Sequence, residues 1–286
     1  MPQTLNEIKS LLAQHELHPK HRLGQNFLHD HNQMRKIVAA ADLKPGELVL
    51  EVGPGTGALS EQLLDAGAKL IAIEVDPDLQ PILEQRLGPY GDRAQLLMGD
   101  VLASKHALNG DLMAMLGNRP FKMVANLPYN IASPLLVNLL VDHPPMHAAV
   151  VMVQREVADR LAASPGGKDY GPLTVVVQAM CHIKPVAQLS PNSFWPPPKV
   201  SSTVLALRRR ERPLTDNPQQ LAAMVQRLFQ RRRKQLGSIL GRSTPLPPGI
   251  DPQARPETLS IAQFVELARH IGQETSDSGE STPDLL

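Results

Sequence analysis

Short runs of consecutive apolar residues recur through the first half of the chain and are separated by helical or mixed segments. Runs of this kind are typical of buried parallel strands. Five of them stand at residues 48–52, 70–74, 94–100, 121–127 and 148–154. Their alternation with helical segments predicts an α/β fold, a Rossmann-like, doubly wound and mostly parallel sheet.

Two later runs differ because no helical pattern separates them. Residues 173–181 and 202–207 are rich in apolar or β-branched side chains. We expect both to form an antiparallel edge of the same sheet.

Helical spacing dominates after Pro213. Leu221, Val225 and Leu228 fall on one helical face, and residues 261–271 form a final amphipathic pattern. The pattern therefore predicts three parts. A catalytic domain spans 1–212 and includes a helical N-terminal extension. A small all-helical domain follows over 213–273, and a disordered tail over 274–286.

Composition narrows the class of protein. Of 286 residues, 42% are hydrophobic and 20% are charged, which fits a soluble globular chain. The single cysteine, Cys181, excludes an internal disulfide framework and a cysteine-rich zinc site, and favours a reducing, cytoplasmic compartment. No apolar run approaches the ~18 residues of a membrane span. The histidines between His15 and His31 lack the spacing of metal ligands, so we expect no metal.

Charge is distributed unevenly along the chain. Residues 199–242 hold eleven lysines and arginines against two acidic residues, although the net charge of the whole chain is only +1. Such a block is a candidate contact surface for a polyanion, because binding phosphates releases condensed counterions. A solvated basic helix face would have the same composition.

A glycine-rich loop follows the first predicted strand and precedes a helix. Gly53, Gly55 and Gly57 have the spacing GxGxG. Glycines at such a loop let the backbone approach a nucleotide-type ligand closely. Glu74 ends the next strand, near the ~20-residue offset at which a carboxylate meets ribose hydroxyls. Asp100 ends the third strand, where an adenine amine could lie, so these residues together indicate an adenosine-containing ligand.

The run from Asn126 to Tyr129 ends a further strand at the same edge of the sheet and indicates the reaction. The Asn126 amide oxygen and the Leu127 carbonyl could accept the two hydrogens of an exocyclic amine, and Pro128 would fix the turn. Catalysis would then depend on positioning, without a strong base. A strand-to-turn junction could also have this sequence, but the preceding glycine loop favours the catalytic interpretation.

Two aromatic residues could hold the target base. Tyr129 could stack on one face of it, and Phe194 could close the other. Stacking on aromatic side chains is how proteins commonly hold a base that has left its helix.

At this point the sequence resembles the small-subunit (16S) ribosomal RNA adenine dimethyltransferase family over nearly its whole length. The residues that carry the resemblance are 23–28, 51–57, 74–76, 99–100, 126–129, 153–161, Phe194 with 196–200, 232–234 and 255–257. The resemblance implies an S-adenosylmethionine-dependent enzyme that dimethylates N6 of two adjacent adenosines in a hairpin near the 3′ end of the RNA.

The same resemblance implies partners and cofactor contacts. It implies action on the assembling 30S subunit, with Asn26 and Leu28 contacting S-adenosylmethionine beside Gly53, Glu74, Asp100 and Asn126. We expect the protein to be a monomer. The sequence departs from the family in its extended N-terminus, in its polar tail, and at Pro256, where alanine is usual.

Three alternatives remain. A large-subunit ribosomal RNA adenine methyltransferase shares both motifs, whereas the segments at 196–202 and 254–260 favour the small-subunit family. A non-catalytic RNA-binding assembly factor of the same fold is disfavoured by the intact Asn126 and Tyr129. A nicotinamide-dependent oxidoreductase is disfavoured because the glycine loop lacks GxGxxG spacing.

Overall fold

The computed structural model describes residues 3–129, 131–143, 145–241 and 244–277, and for residues 272–277 it describes the backbone. By its internal contacts the chain divides into two compact units. The first consists of Met1–Ala158 with Ile183–Arg209, and the second of Asp159–His182 with Arg210–Leu286. Among the described residues no helix is long and apolar enough to cross a membrane.

A seven-stranded sheet organises the first unit. Its strands are β2 (Leu48–Val52), β3 (Lys69–Glu74), β4 (Ala94–Met98), β7 (Phe121–Asn126), β8 (Met146–Gln154), β9 (Cys181–Leu189) and β11 (Ser202–Arg209). Their order is β4-β3-β2-β7-β8-β11-β9. The pairs β4/β3, β3/β2, β2/β7 and β7/β8 are parallel, whereas β11 runs antiparallel to β8. Two short antiparallel pairs join β1 (Phe27–Leu28) to β10 (Phe194–Trp195) and β5 (Leu102–Ser104) to β6 (Ala107–Leu108).

Helices follow the strands in the order expected of a doubly wound sheet. They are α1 (Leu5–Gln14), α2 (His31–Ala41), α3 (Ala58–Asp65), α4 (Gln80–Leu87), α5 (Gly110–Leu116), α6 (Ala132–Asp142), α7 (Arg155–Leu161), α8 (Pro172–Met180), α9 (Pro218–Phe229), α10 (Leu236–Leu240) and α11 (Ile261–Asp277). Single turns of 3₁₀ helix stand at His21–Leu23, Pro77–Leu79, Gly88–Arg93, Pro191–Ser193 and Pro256–Thr258.

Aliphatic side chains of the sheet and its helices form the core of the first unit. Val49 of β2 and Val124 of β7 belong to one buried cluster with Met34 and Ile37 of α2 and Leu63 of α3. Burying each such side chain contributes about 1.5–3 kcal/mol to folding. This core fixes the strand ends, and the loops after them form the cleft described below.

The second unit has its own core. Leu221, Val225 and Leu228 of α9 belong to one buried cluster with Val175 of α8 and Phe264 of α11. The Tyr170 hydroxyl donates a hydrogen bond to the Leu259 carbonyl at 2.8 Å, so this buried phenol is satisfied.

The sequence predicted most of these elements. The five parallel strands are confirmed, and so is the antiparallel strand at 202–207, which lies within β11. The strand predicted over 173–181 is wrong, because residues 172–180 form α8. Six of the nine residues of α8 are buried, so the helix has no polar face whose periodicity would distinguish it from a buried strand.

The units also differ from the predicted parts. The chain passes to the second unit at Arg210, close to the boundary predicted at 213, but residues 159–182 belong to the second unit and not to the first. Val175 and Ala179 of α8 lie in its hydrophobic core, which explains the assignment. At the C-terminus α11 continues to Asp277, so residues 274–277 are helical, and the rest of the predicted tail, 278–286, lies outside the described residues.

Candidate active site

A cleft lies at the carboxyl ends of the parallel strands, where open α/β sheets bind their ligands. It has an empty volume of about 1170 Å³, part of which is open to solvent. Its lining consists of residues 23–28, Met34, 51–56, Ala58, Leu59, 73–75, 99–101, 126–129 and Ile131. Every strand-end motif that the sequence analysis singled out therefore meets in one place.

The glycine loop forms one wall of the cleft. Gly53 and Gly55 have φ angles of 71° and 61°, a left-handed conformation that side chains other than glycine rarely adopt. A Cβ atom on Gly55 would stand 3.1 Å from the ring of Phe27. Gly57 precedes α3 and is not among the lining residues, so its contact with a cofactor stays a prediction.

Glu74 lies in the cleft with its carboxylate held by main-chain amides. One oxygen accepts from the Gly55 N–H at 3.2 Å and the other from the Asp76 N–H at 2.9 Å. Burial of the side chain, which is 4% exposed, nevertheless raises its pKa. The two bonds connect the end of β3 to the glycine loop and leave carboxylate lone pairs that can accept from ligand hydroxyls.

A second carboxyl group, which the sequence analysis did not select as a site residue, lines the same cleft. Glu51 is 2% exposed and accepts a hydrogen bond from the Ser60 hydroxyl at 2.6 Å. Burial raises the pKa of Glu51 to about 8, and the nearby Glu74 acts in the same direction. Nothing in the local sequence marks this shift, because it depends on burial beneath α3.

Asp100 and two valines line the far side of the cleft. Asp100 is exposed, and its carboxylate accepts from the Leu102 N–H at 2.9 Å. Val75 is 43% exposed although it is apolar, and Val101 is buried. The sequence analysis missed both valines as site residues, yet an apolar residue directly after a strand-end acid was the available signal. Together the valines offer an apolar surface for a flat ring, and the Asp100 carboxylate can accept a hydrogen bond from a polar group on its edge.

The run from Asn126 to Tyr129 forms the part of the lining next to the glycine loop. The Asn126 amide nitrogen donates to the Asn26 carbonyl at 3.1 Å, so Oδ1 is the amide atom that can accept from a ligand. The Leu127 N–H donates to the Met152 carbonyl at 3.1 Å, which anchors the turn to β8. The ring of Pro128 lies 3.7 Å from the position that a Cβ of Gly53 would occupy. The two motifs are therefore neighbours in space.

Tyr129 is held in place through its hydroxyl. That hydroxyl lies 3.2 Å from Oγ of Ser202, at the start of β11. Partial burial raises the pKa of Tyr129, so the phenol is protonated at neutral pH. Its ring remains part of the cleft lining, as stacking on a base requires.

The cofactor contacts implied for the N-terminal segment have a structural counterpart. Asn26 and Leu28 both line the cleft. Leu28 pairs with Phe194 across the β1–β10 ladder, and Phe194 is only 3% exposed within the hydrophobic core. Phe194 is not among the lining residues of the cleft, so stacking on a base would require its ring to become exposed.

The basic block contributes a surface to the second unit. Arg231, Arg232, Arg233 and Lys234 are exposed and line an open concavity together with Gln230 and Ser238. Arg232 lies 3.8 Å from a Glu257 carboxylate oxygen, which leaves the other three cations to set the charge of the concavity. Arg242 of the same block lies outside the described residues. Within the described ranges no group of three or more His, Cys, Asp and Glu side chains could hold a metal ion.

Comparison with known proteins identifies the family. A family model described as ribosomal RNA adenine dimethylase matches residues 17–272. The chain belongs to the ribosomal RNA adenine dimethylase family.

Curated members of this dimethylase family are similar over most of their length. Ribosomal RNA small subunit methyltransferase A of Lactobacillus acidophilus is 41% identical over 280 residues, covering 92% of this chain and 95% of the relative. The protein of the same name from Mycobacterium bovis is 39% identical over 293 residues, covering 96% of this chain and 90% of the relative.

Solved structures of dimethylases and related methyltransferases share the fold. A dimethyladenosine transferase from Plasmodium falciparum aligns with a TM-score of 0.70 at 26% identity, covering 88% of this chain and 98% of that one. The 23S ribosomal RNA methyltransferase ErmE aligns with a TM-score of 0.64 at 26% identity, covering 87% of this chain and 100% of that one. The Rossmann-like methyltransferase fold predicted from the sequence is thus confirmed.

Proposed function

We propose that this dimethylase transfers methyl groups from S-adenosylmethionine to the N6 amines of two adjacent adenosines in small-subunit ribosomal RNA. The observation that carries the proposal is the meeting of the glycine loop and the Asn126–Tyr129 run in one cleft. The two curated relatives described above are both named small-subunit methyltransferases, and they cover almost the whole chain. The sequence expectation of the same target agrees with these names.

The residues of the cleft fit an adenosine-containing methyl donor. Glu74 supplies a buried carboxylate for ribose hydroxyls, and Val75, the next residue, supplies an exposed apolar surface in the same cleft. Asn26, Leu28 and Gly53 complete the set that would hold the donor. When bound, S-adenosylmethionine supplies a methyl group that its sulfonium makes electrophilic.

The chain's own contribution to the chemistry is to orient the amine. A neutral exocyclic amine is a poor nucleophile because its lone pair is delocalised into the ring. Oδ1 of Asn126 and the Leu127 carbonyl accept its two hydrogens and so direct the lone pair. Attack of the amine on the methyl group leaves a positively charged nitrogen, which loses one proton to solvent. One hydrogen then remains, so the second transfer needs only one of these acceptors, and the nitrogen again releases its last proton to solvent. Tyr129 stacks on the base, and we propose that Phe194 covers its second face. Catalysis is then mainly positioning.

The concavity at Arg231–Lys234 supports a role in RNA binding. We propose that its exposed cations contact phosphates of the substrate. We further propose that the protein acts as a monomer on the assembling 30S subunit. Sedimentation of the protein alone and with unmethylated small subunits measures both properties, and a stable dimer or the absence of co-sedimentation would contradict them.

One experiment tests the substrate directly. The protein is incubated with labelled S-adenosylmethionine and with unmethylated small subunits or large subunits, and the modified nucleotides are mapped. We expect two adjacent dimethyladenosines near the 3′ end of the small-subunit RNA and no label in the large subunit. Label confined to the large subunit would assign the activity of the ErmE type, and label in neither would contradict the proposal.

A further inference from the structure

Gln3 is a buried polar residue that contacts the glycine loop. It is 1% exposed, and its amide makes two complementary hydrogen bonds to one residue. The Gln3 Nε2 donates to the Thr56 carbonyl at 2.8 Å, and the Thr56 hydroxyl donates to the Gln3 Oε1 at 2.8 Å. Both the main chain and the side chain of Thr56 are therefore held by a single glutamine.

The partner of Gln3 belongs to the active site. Thr56 stands between Gly55 and Gly57, and it lines the cleft. Gln3 itself precedes residues 17–272, over which the family model matches, so the contact comes from the part of the chain before that match. None of the roles assigned above uses Gln3.

The helix after Gln3 keeps the glutamine in place. Thr4 and Glu7 form a capping box at the start of α1. Ile8 and Leu12 of α1 share a buried cluster with Phe27. The Gln3 carbonyl also lies 2.8 Å from Nε2 of His31. Displacement of Gln3 would thus require α1 to leave an apolar surface.

Phe27, which shares a buried cluster with α1, contacts the glycine loop at the residue before Thr56. The ring of Phe27 packs against Gly55, as its 3.1 Å distance from an added Cβ shows. Thr56 and Gly55 are consecutive, so one residue of the loop is held by hydrogen bonds and the next by an aromatic ring. Glycine-rich loops lose much conformational entropy on ordering. A loop that is held before binding has less to lose when a ligand orders it.

We propose that Gln3 is a positioning residue that holds the glycine loop, through Thr56, in the conformation that receives S-adenosylmethionine. Docking of α1 thereby raises the affinity of the cleft for the methyl donor. This inference rests on the proposed function for the identity of the donor. It assigns to Gln3 and α1 a role in cofactor affinity and none in RNA recognition.

The test compares Gln3→Ala with Gln14→Ala, an identical change at an exposed position of the adjoining helix α1. Equilibrium dialysis with labelled S-adenosylmethionine measures Kd for each full-length protein. We expect Gln3→Ala to raise Kd by roughly five- to thirtyfold, the loss expected of two buried hydrogen bonds that leave a polar group unpaired. Gln14→Ala should leave Kd within about twofold of the wild type.

Two further measurements separate positioning from general destabilisation. At saturating S-adenosylmethionine, kcat and the KM for small subunits should be unchanged in Gln3→Ala, while the KM for the donor rises with Kd. Hydrogen exchange of the amides at 53–57 should accelerate without a matching change in the amides of β8. In a Thr56→Val background, Gln3→Ala should raise Kd by a smaller factor, because one of the two bonds is already missing.

Gln3→Glu provides a second variant of nearly the same size. As an ionised carboxylate it cannot donate to the Thr56 carbonyl, so its Kd should also rise at a pH at which the introduced side chain is ionised. If a folded Gln3→Ala or Gln3→Glu protein binds S-adenosylmethionine as tightly as the wild type, the inference is overturned. A lower Tm with an unchanged Kd would assign Gln3 a purely structural role. Absence of RNA methylation by the wild type would contradict the proposed function instead.

Discussion

The side-chain amide of Asn126 donates a hydrogen bond to the main-chain carbonyl of Asn26, 100 residues earlier in the chain, at 3.1 Å. This bond joins the strand end that we propose to orient the target amine to the segment that we propose to contact the cofactor. Because the nitrogen of the amide is engaged, its oxygen is presented to the substrate. The bond therefore connects two parts of the cleft lining that lie far apart in the sequence.

Replacement of Asn126 by alanine should abolish most of the turnover. The variant loses the amide oxygen that accepts an amine hydrogen, and we expect kcat to fall by about two to three orders of magnitude, as when one hydrogen-bonding group for a transition state is removed. Filter-binding of labelled small subunits measures the rate, and dialysis should still detect S-adenosylmethionine binding. Asn118→Ala, at an exposed turn, is the matched control. Near-normal turnover in Asn126→Ala would remove Asn126 from its role.

Tyr129 and Ser202 should act as a coupled pair. We expect Tyr129→Phe and Ser202→Ala each to lower kcat/KM for RNA by about threefold, the effect of losing one hydrogen bond of ~0.5–1 kcal/mol. The double variant should be no worse than either single variant, because both changes break the same contact. Tyr129→Ala should be much worse, because stacking is worth about 1–3 kcal/mol per base. Additive effects of the two single changes would show that the bond does not position the ring.

Neutralisation of Arg231, Arg233 and Lys234 with glutamine should weaken RNA binding and flatten its salt dependence. The slope of log K against log[salt] should become shallower by about two to three, since each phosphate contact contributes about 0.7–0.9. Titrations at several salt concentrations measure this slope. Arg232 is left intact because it lies beside Glu257.

A matched control removes the same number of charges elsewhere. Lys36, Lys44 and Lys69 are exposed residues of the first unit, and their replacement by glutamine should leave the salt slope nearly unchanged. Equal slopes for the wild type and the variant at 231–234 would mean that these cations form a solvated basic surface without a role in RNA binding.

Glu51 should make the folded state less stable as pH rises. The pKa of Glu51 is about 8 in the folded protein, whereas its ordinary value is 4.5. At pH values between these two, Glu51 is therefore protonated in the folded state and ionised in the unfolded state. The free energy of unfolding should then fall by about 1.4 kcal/mol per pH unit from this group within that window. Below pH 4.5 both states are protonated and the effect vanishes.

Glu51→Gln tests this pH dependence with little change in shape. The amide oxygen can still accept from the Ser60 hydroxyl but does not titrate. Denaturant unfolding at pH 5, 6, 7 and 8 should show the variant gaining stability over the wild type at each step. A difference between the two proteins that is constant across these pH values would mean that Glu51 is not a buried, protonated carboxyl.

Local sequence was sufficient for the parts of the molecule whose patterns are local. The β2 strand, the glycine loop and the acid at Glu74 follow one another within a single βαβ unit, so their meeting at one sheet edge could be predicted. The helix α8 could not, because Val175, Val176 and Val177 are all buried and mimic a strand. Its helical state depends on packing in the second unit, together with Pro172 at its first turn.

Long-range contacts limited the prediction of the site. Val75 follows the strand-end acid Glu74 directly, but its exposure in the cleft depends on the tertiary fold and could not be predicted from that position alone. The pairing of Gln3 with Thr56 spans 53 residues, and no periodicity links the two positions. Phe194 was selected because aromatic residues are rare in the chain, yet it lies in the core against Leu28.

The short ladder between β1 and β10 has a consequence for the order of folding. Leu28, which lines the cleft, pairs with Phe194, and the neighbouring Asp30 accepts a hydrogen bond from the Ser193 hydroxyl at 3.1 Å, across 163 residues. Contacts of such separation form late, because a long loop must close first. A nascent chain that has not reached residue 195 lacks the partner strand for the cofactor-facing β1. The growing polypeptide should therefore gain its affinity for the methyl donor only after most of the first unit has left the ribosome.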